Sequence, residues 1–131
     1  MIVSYTGEKK FKAEYRGHSV IIDQPRGEGG KNSGMTPPEL LMASLGSCIG
    51  VYAIGFLKNT GLDPSGMTVR LAWEKKDEPS RIAKIEAELV IPNAKLGKRK
   101  VALLKIVEHC LVHNTLTGKP EIKIGVQENE A

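Results

Sequence analysis

Thr36-Pro37-Pro38-Glu39-Leu40-Leu41-Met42-Ala43-Ser44-Leu45-Gly46-Ser47-Cys48-Ile49-Gly50-Val51-Tyr52-Ala53-Ile54-Gly55-Phe56-Leu57-Lys58-Asn59 is the stretch that decides the fold. Its first four residues fit a capping box, with Thr36 as N-cap, Pro37 at the first helical position and Glu39 at N3. Gly61 stops the helix near Asn59, and Pro64 follows shortly beyond. From Leu40 to Leu57 there is no charged residue, and eighteen such residues meet the lower bound for a membrane span. Yet Ser44, Gly46, Ser47, Gly50 and Gly55 interrupt the run, and no basic cluster adjoins either end to set a topology. The stretch therefore reads as a buried central helix. A helix apolar on all sides must be covered on all sides. One small domain has trouble doing so, which points to a second subunit.

Around this helix the chain reads as short strands and one further helix. Residues 2–6 and 11–15 flank the turn Gly7-Glu8-Lys9-Lys10, and His18 to Asp23 gives a third strand. Pro25 to Met35 holds Gly27, Gly29, Gly30 and Gly34 and reads as a loop. After the long helix, Met67 to Lys75 and Ile82 to Ile91 alternate in polarity about the turn Asp77-Glu78-Pro79-Ser80, so they predict a long β-hairpin. Lys98 to Cys110 predicts a second helix, with Leu103, Ile106, Val107 and Cys110 on one face. Glu121 to Val126 predicts a final strand. Strands in hairpins with helices grouped apart indicate an α+β fold of antiparallel sheets rather than a parallel doubly wound sheet. No linker or repeat divides the chain, so residues 1–131 read as one domain.

Composition narrows the function classes. The 131 residues carry a formal charge of +4, with 40% apolar and 26% charged residues, a soluble globular balance. Aromatics make up only 5%, too few for base-stacking platforms, so no nucleic-acid partner is expected. The basic run Lys95-Leu96-Gly97-Lys98-Arg99-Lys100 reads as a solvated face at a helix start. With Cys48 and Cys110 as the two cysteines, a disulfide-stapled scaffold and a Cys₄ metal site are excluded. His109 and His113 stand four apart without an H-E-x-x-H motif, and helix-end histidines explain them, so no metal is expected. No P-loop or dinucleotide fingerprint occurs, so no cofactor is expected. The N-terminus lacks an apolar signal region, and the expected location is cytoplasmic, with no membrane.

The chemistry then rests on the cysteines. Buried free cysteines usually pack as small hydrophobes. The other reading is a redox pair, one thiolate attacking an oxidant and the second resolving it as a disulfide. Residues alone leave both open. Cys48 lies about three turns past Thr36, too far for the helix N-terminus to lower its pKa much, so activation needs an Arg, Lys or His supplied by the fold. Gly46-Ser47-Cys48-Ile49-Gly50 also fits a cysteine version of the nucleophile elbow. That elbow needs a strand before it, and here an apolar helix precedes it.

Gly34-Met35-Thr36-Pro37-Pro38-Glu39-Leu40-Leu41 running to Cys48, with His109-Cys110-Leu111-Val112-His113-Asn114-Thr115-Leu116, resembles the two cysteine motifs of the OsmC/Ohr family, closest to its OsmC-like subgroup. The family takes its names from osmotically inducible protein C and organic hydroperoxide resistance protein. The lead-in Ile22-Asp23-Gln24-Pro25 to Gly29-Gly30 and the hairpin between the cysteines fit as well. The resemblance implies an intertwined α+β homodimer with sites at the subunit interface. It further implies a thiol-dependent peroxidase for small organic hydroperoxides: Cys48 becomes a sulfenic acid, Cys110 resolves it, and an external dithiol reductant reopens the disulfide. Family peroxidases hold the thiolate with an Arg and a Glu. Arg16 or Arg26 is the candidate Arg here, and Glu39 the nearest Glu. The family's Glu position, ten residues before the cysteine, is Pro38 in this chain, and Leu111 replaces the Pro that usually follows the second cysteine. Glu39 lies nine residues before Cys48, about 180° around a straight helix. The alternative on the same fold is a non-catalytic protein that binds a small hydrophobic ligand or senses redox state.

Overall fold

Three antiparallel strands open the chain of this computed structural model, which describes residues 1–129: β1 (Ile2–Gly7), β2 (Lys10–Tyr15) and β3 (His18–Ile22), in the order β1-β2-β3. Register pairs Val3 with Ala13 and Tyr5 with Phe11, then Phe11 with Ile22 and Ala13 with Val20. The two-residue connection Arg16-Gly17 has φ of 52° and 78°, both left-handed, as a tight hairpin of matching twist requires. Tyr5 and Phe11 meet across the strands with ring centroids 5.6 Å apart.

The Gly-rich segment after β3 is folded around one carboxylate. Asp23 is 1% exposed and accepts from the backbone N–H groups of Gln24 (2.8 Å), Lys31 (3.2 Å) and Ser33 (3.1 Å) and from Ser33 Oγ (2.6 Å). Such a cluster of donors holds its carboxyl well below the usual carboxylate range, led by the Ser33 hydroxyl. The wrap is tight: a Cβ on Gly34 would stand 2.2 Å from the Ile21 carbonyl oxygen, and one on Gly30 2.0 Å from that of Gln24. Only glycine permits such close approach of backbones.

The long helix α1 (Pro37–Asn59) begins and ends where the sequence places it. Thr36 Oγ1 donates to Glu39 Oε1 at 2.9 Å, and the Glu39 N–H donates back to Thr36 Oγ1 at 3.4 Å. At the far end Leu62 N–H donates to the Leu57 carbonyl and Gly61 N–H to that of Lys58, with Gly61 at φ 71°, a Schellman stop. Met42, Leu45, Ile49, Ala53 and Leu57 form its buried stripe, at the three- and four-residue spacing of one helix face. Leu41, Val51, Tyr52 and Ile54 are exposed, so within one chain the helix is buried along one side and not all round. By length and composition alone it could cross a bilayer.

β4 (Thr68–Lys76) and β5 (Arg81–Val90) form the expected two-stranded hairpin. The following helical region differs from expectation. Instead of one helix over Lys98–Cys110 there is a 3₁₀ turn at Gly97–Arg99, α2 (Lys100–Val107), and a separate α3 (Leu111–Gly118). The break is backbone-made: the His109 N–H turns back to the Ile106 carbonyl, and Cys110 takes extended angles (φ −66°, ψ 150°) as the N-cap of α3. The architecture therefore has three α-helices where two were expected. The final strand over Glu121–Val126 does not form either. Its alternation is present in sequence, but neither sheet of the chain takes it as a neighbour. Ile122, Ile124 and Val126 are left 76%, 90% and 96% exposed. A strand needs a paired edge for its N–H and C=O groups.

Two compact units divide these elements, residues 1–47 with 71–87, and residues 48–70 with the described residues from 88 onward. α1 and the hairpin contribute to both. The first unit contains the β1-β2-β3 sheet and the Asp23 loop. The second buries Ile49, Ala53 and Leu57 of α1, Leu103 and Val107 of α2, and Cys110.

Candidate functional site

Both cysteines fall in the second unit, Cys48 on α1 and Cys110 in the break before α3. Neither is in a disulfide; Cys48 is half-buried and Cys110 is 0% exposed. Cys48 is close enough to Cys110 for its side chain to act on that thiol. Gly50, one residue beyond Ile49, is buried, and a Cβ there would stand 3.9 Å from the Met67 and Val69 side chains, an ordinary contact distance.

Cys110 is the better-defined of the two. As N-cap it accepts from the His113 N–H at 3.3 Å. That amide favours a thiolate. Burial works the other way and wins, reinforced by Cys48, so the Cys110 thiol is pushed up from its ordinary 9.0. At neutral pH the Cys110 thiol is therefore protonated. Chemically, the arrangement offers a half-buried sulfur near a fully buried one.

Of the other residues singled out from sequence, Arg16, Arg26 and Glu39 belong to the first unit and His109 and His113 to the second. Arg16, in the first unit, occupies the β2–β3 hairpin with its guanidinium 5.9 Å from the Tyr15 ring centroid, a cation–π distance. A shallow hollow surrounds it, lined by Met1, Ile2, Glu14, Tyr15 and His18. Arg26 lies in a 3₁₀ turn of the Asp23 loop. Glu39 is engaged in the cap of α1 with Thr36. His109 and His113 do not share one helix: His109 Nδ1 is 2.6 Å from the Lys105 carbonyl, so that nitrogen carries the proton and donates, while His113 is in α3.

Sequence reasoning missed two features of these units, the buried carboxylate of Asp23 and the capping role of Cys110. Both had a local signal. An Asp at a strand end before a Gly- and Ser-rich loop offers an acceptor to that loop's amides. A small residue three before His113 can cap a helix, but a cysteine is not among the usual cap residues.

A family model for "OsmC-like protein" matches residues 30–125. Among curated protein sequences none matches. Solved structures share the fold. A protein assigned to the osmotic stress and detoxification response of Psychrobacter arcticus superposes with a TM-score of 0.80 at 21% identity, over 87% of this chain and 85% of that one. An OsmC-like protein of Mycoplasma pneumoniae gives 0.69 at 18% identity, over 84% and 80%. An organic hydroperoxide resistance protein of Legionella pneumophila gives 0.63 at 18% identity, over 89% and 88%.

Proposed function

The chain belongs to the OsmC-like protein family, and from that premise we propose that it is a thiol peroxidase that reduces organic hydroperoxides through Cys48 and Cys110. The observation that supports the proposal is the proximity of the two free thiols, half-buried Cys48 near fully buried Cys110. The Cys48 sulfur attacks the terminal peroxide oxygen. The O–O bond breaks, the alcohol leaves with a proton, and Cys48 becomes a sulfenic acid. Cys110 then attacks the Cys48 sulfur, water leaves, and the resulting disulfide is reopened by an external dithiol. The name of the Legionella relative supports hydroperoxide as the substrate class, and the apolar surroundings of Cys48 favour organic peroxides over hydrogen peroxide. The reaction suits a reducing compartment such as the cytoplasm.

The same reading includes a homodimer. Val51, Tyr52 and Ile54 leave one side of α1 exposed, and Ile122, Ile124 and Val126 form an unpaired strand pattern. A second copy that covers the helix and pairs the strand explains both without a membrane. Sedimentation in detergent-free buffer should give twice the chain mass. Monomeric protein, or protein soluble only in detergent, would rule the dimer out.

A second reading is favoured by one observation. The Glu39 carboxyl is tied to Thr36 in the helix cap, and no Glu occupies the position ten residues before Cys48. On that reading the protein is a non-catalytic member that binds a small hydrophobic ligand or senses redox state. Consumption of cumene hydroperoxide by the pre-reduced protein with excess dithiol decides between them. Loss that depends on Cys48, absent in Cys48→Ser, supports the peroxidase. Equal rates in wild type and variant would refute it.

A further inference from the structure

We infer that the cationic face of α2 docks the protein that reopens the Cys48–Cys110 disulfide, a dithiol carrier with an acidic surface; the inference rests on the redox pair proposed above. Lys95, Lys98, Arg99, Lys100 and Lys105 are all exposed, and no acidic residue occurs between Glu88 and Glu108 to balance them. Among the described residues none of the five is in an ion pair, whereas Lys12, Lys31, Lys84 and Lys123 each hold a glutamate. Lys98, Arg99 and Lys100 stand where the helical region begins, and neither Gly97–Arg99 nor α2 has an acidic residue in its first turn. The helix dipole disfavours cations at that end. A local rule broken without a structural gain points to function.

Composition and position name the partner. Val101 and Leu104, between Lys100 and Lys105 in α2, are 62% and 46% exposed, so aliphatic surface is set among charges as at protein interfaces. Five uncompensated cations match an acidic surface. The face belongs to the same compact unit as both cysteines. At about 1.5 Å per residue, α2 advances about 10 Å from Lys100 to Val107, three residues short of Cys110. Other occupants fit less well. A second copy seated on a two-fold axis here would set the cations against their own counterparts. Residues 89–107 hold no aromatic side chain on which bases could stack. Two aliphatic side chains on an eight-residue helix give little to bury in a lipid interface.

The exchange balances. A thiolate of the carrier attacks the Cys48 sulfur, the less buried of the two, and Cys110 leaves as a thiolate that takes up a proton. The carrier's second thiol then attacks the carrier sulfur of the mixed disulfide and displaces Cys48, which is protonated in turn. Two electrons and two protons pass to the protein, and the carrier is oxidised to its own disulfide.

Two synthetic dithiol peptides serve as probes, one with its cysteines flanked by glutamates and a twin with lysines in their place. Each rate is scaled to that peptide's rate with uncharged hydroxyethyl disulfide. At low salt the glutamate peptide should reduce the oxidised full chain on the order of 10-fold faster than its twin, and the gap should close as salt rises. The triple variant Lys98→Glu, Arg99→Glu, Lys100→Glu should reverse that order, while reduction by uncharged dithiothreitol stays within about twofold of wild type. Its glutamates fall at the helix end that favours negative charge, so the fold is kept. Equal rates for the twins, an unchanged order in the variant, or equal slowing with dithiothreitol would overturn the inference. So would binding to phosphatidylglycerol vesicles or duplex DNA without a preference between the twins, which assigns the face to lipid or nucleic acid. A third peptide, glutamate-flanked with serines for cysteines, separates this inference from the one beneath it. If it binds wild type more tightly than the variant while no Cys48–Cys110 disulfide can be formed, the peroxidase fails and the docking face stands. If the disulfide turns over without charge preference, the peroxidase stands and the docking face fails.

Discussion

Replacing Cys110 separates its two structural duties from its redox duty. Cys110→Ala removes the sulfur that accepts from the His113 amide. Loss of a helix N-cap costs about 1 kcal/mol. The sulfur is also fully buried, and deleting a group of roughly methylene size adds about 0.8 kcal/mol. The sum is about 2 kcal/mol. Cys110→Ser keeps an acceptor, and a better one than sulfur for an N-cap, so it should retain the cap and lose about half as much. The assay is urea unfolding of the reduced proteins at one fixed chain concentration, since any dimer makes stability concentration-dependent. With a slope of about 2 kcal/mol per molar, the Ala variant's midpoint should fall by about 1 M and the Ser variant's by about 0.5 M. Equal midpoints for the two variants would show that the N–H···S contact does not hold α3, and the account of the helix break would be wrong.

Three further outcomes follow from the same geometry. In the reduced protein, iodoacetamide should label half-buried Cys48 well before fully buried Cys110, by mass spectrometry of timed samples; reversed order would contradict the exposure of the pair. The Cys110 thiol is raised above its ordinary 9.0, so the folded chain holds this proton to higher pH than the unfolded one. Its contribution to stability is complete below about pH 9 and is lost as pH rises through the folded value; reduced wild type should lose stability there faster than Cys110→Ser, and parallel curves would refute the shift. Gly34→Ala forces a Cβ to 2.2 Å from the Ile21 carbonyl oxygen, an overlap that should cost at least about 1–3 kcal/mol in thermal unfolding; an unchanged midpoint would mean that the loop relaxes freely.

The long helix was legible because its start and stop are local events. Thr36, Pro37 and Glu39 cap one end through contacts three residues apart, and Gly61 supplies the left-handed turn at the other. The first sheet and the hairpin were legible for a similar reason, since alternation and turn residues lie next to one another in the chain. The helix break at Cys110 was not. Leu103, Ile106, Val107 and Cys110 keep helical spacing, and only the switch of Cys110 to extended angles reveals that its sulfur serves the next helix. The strand pattern at 121–126 misled because periodicity states which face is apolar and not whether a neighbouring edge exists.

For the site, the sequence by itself determined that two cysteines, 48 and 110, stand in motifs of the OsmC/Ohr kind, and that one of them rides on an apolar helix. Tertiary structure decided that Cys48 lies near Cys110, that Cys110 is the fully buried one, and that Glu39 is spent on a helix cap. The division has a physical cause. Capping and alternation act over a few residues and leave their mark in the order of the chain, whereas burial and the nearness of Cys48 to Cys110 join groups 62 positions apart, and only the folded chain brings them together.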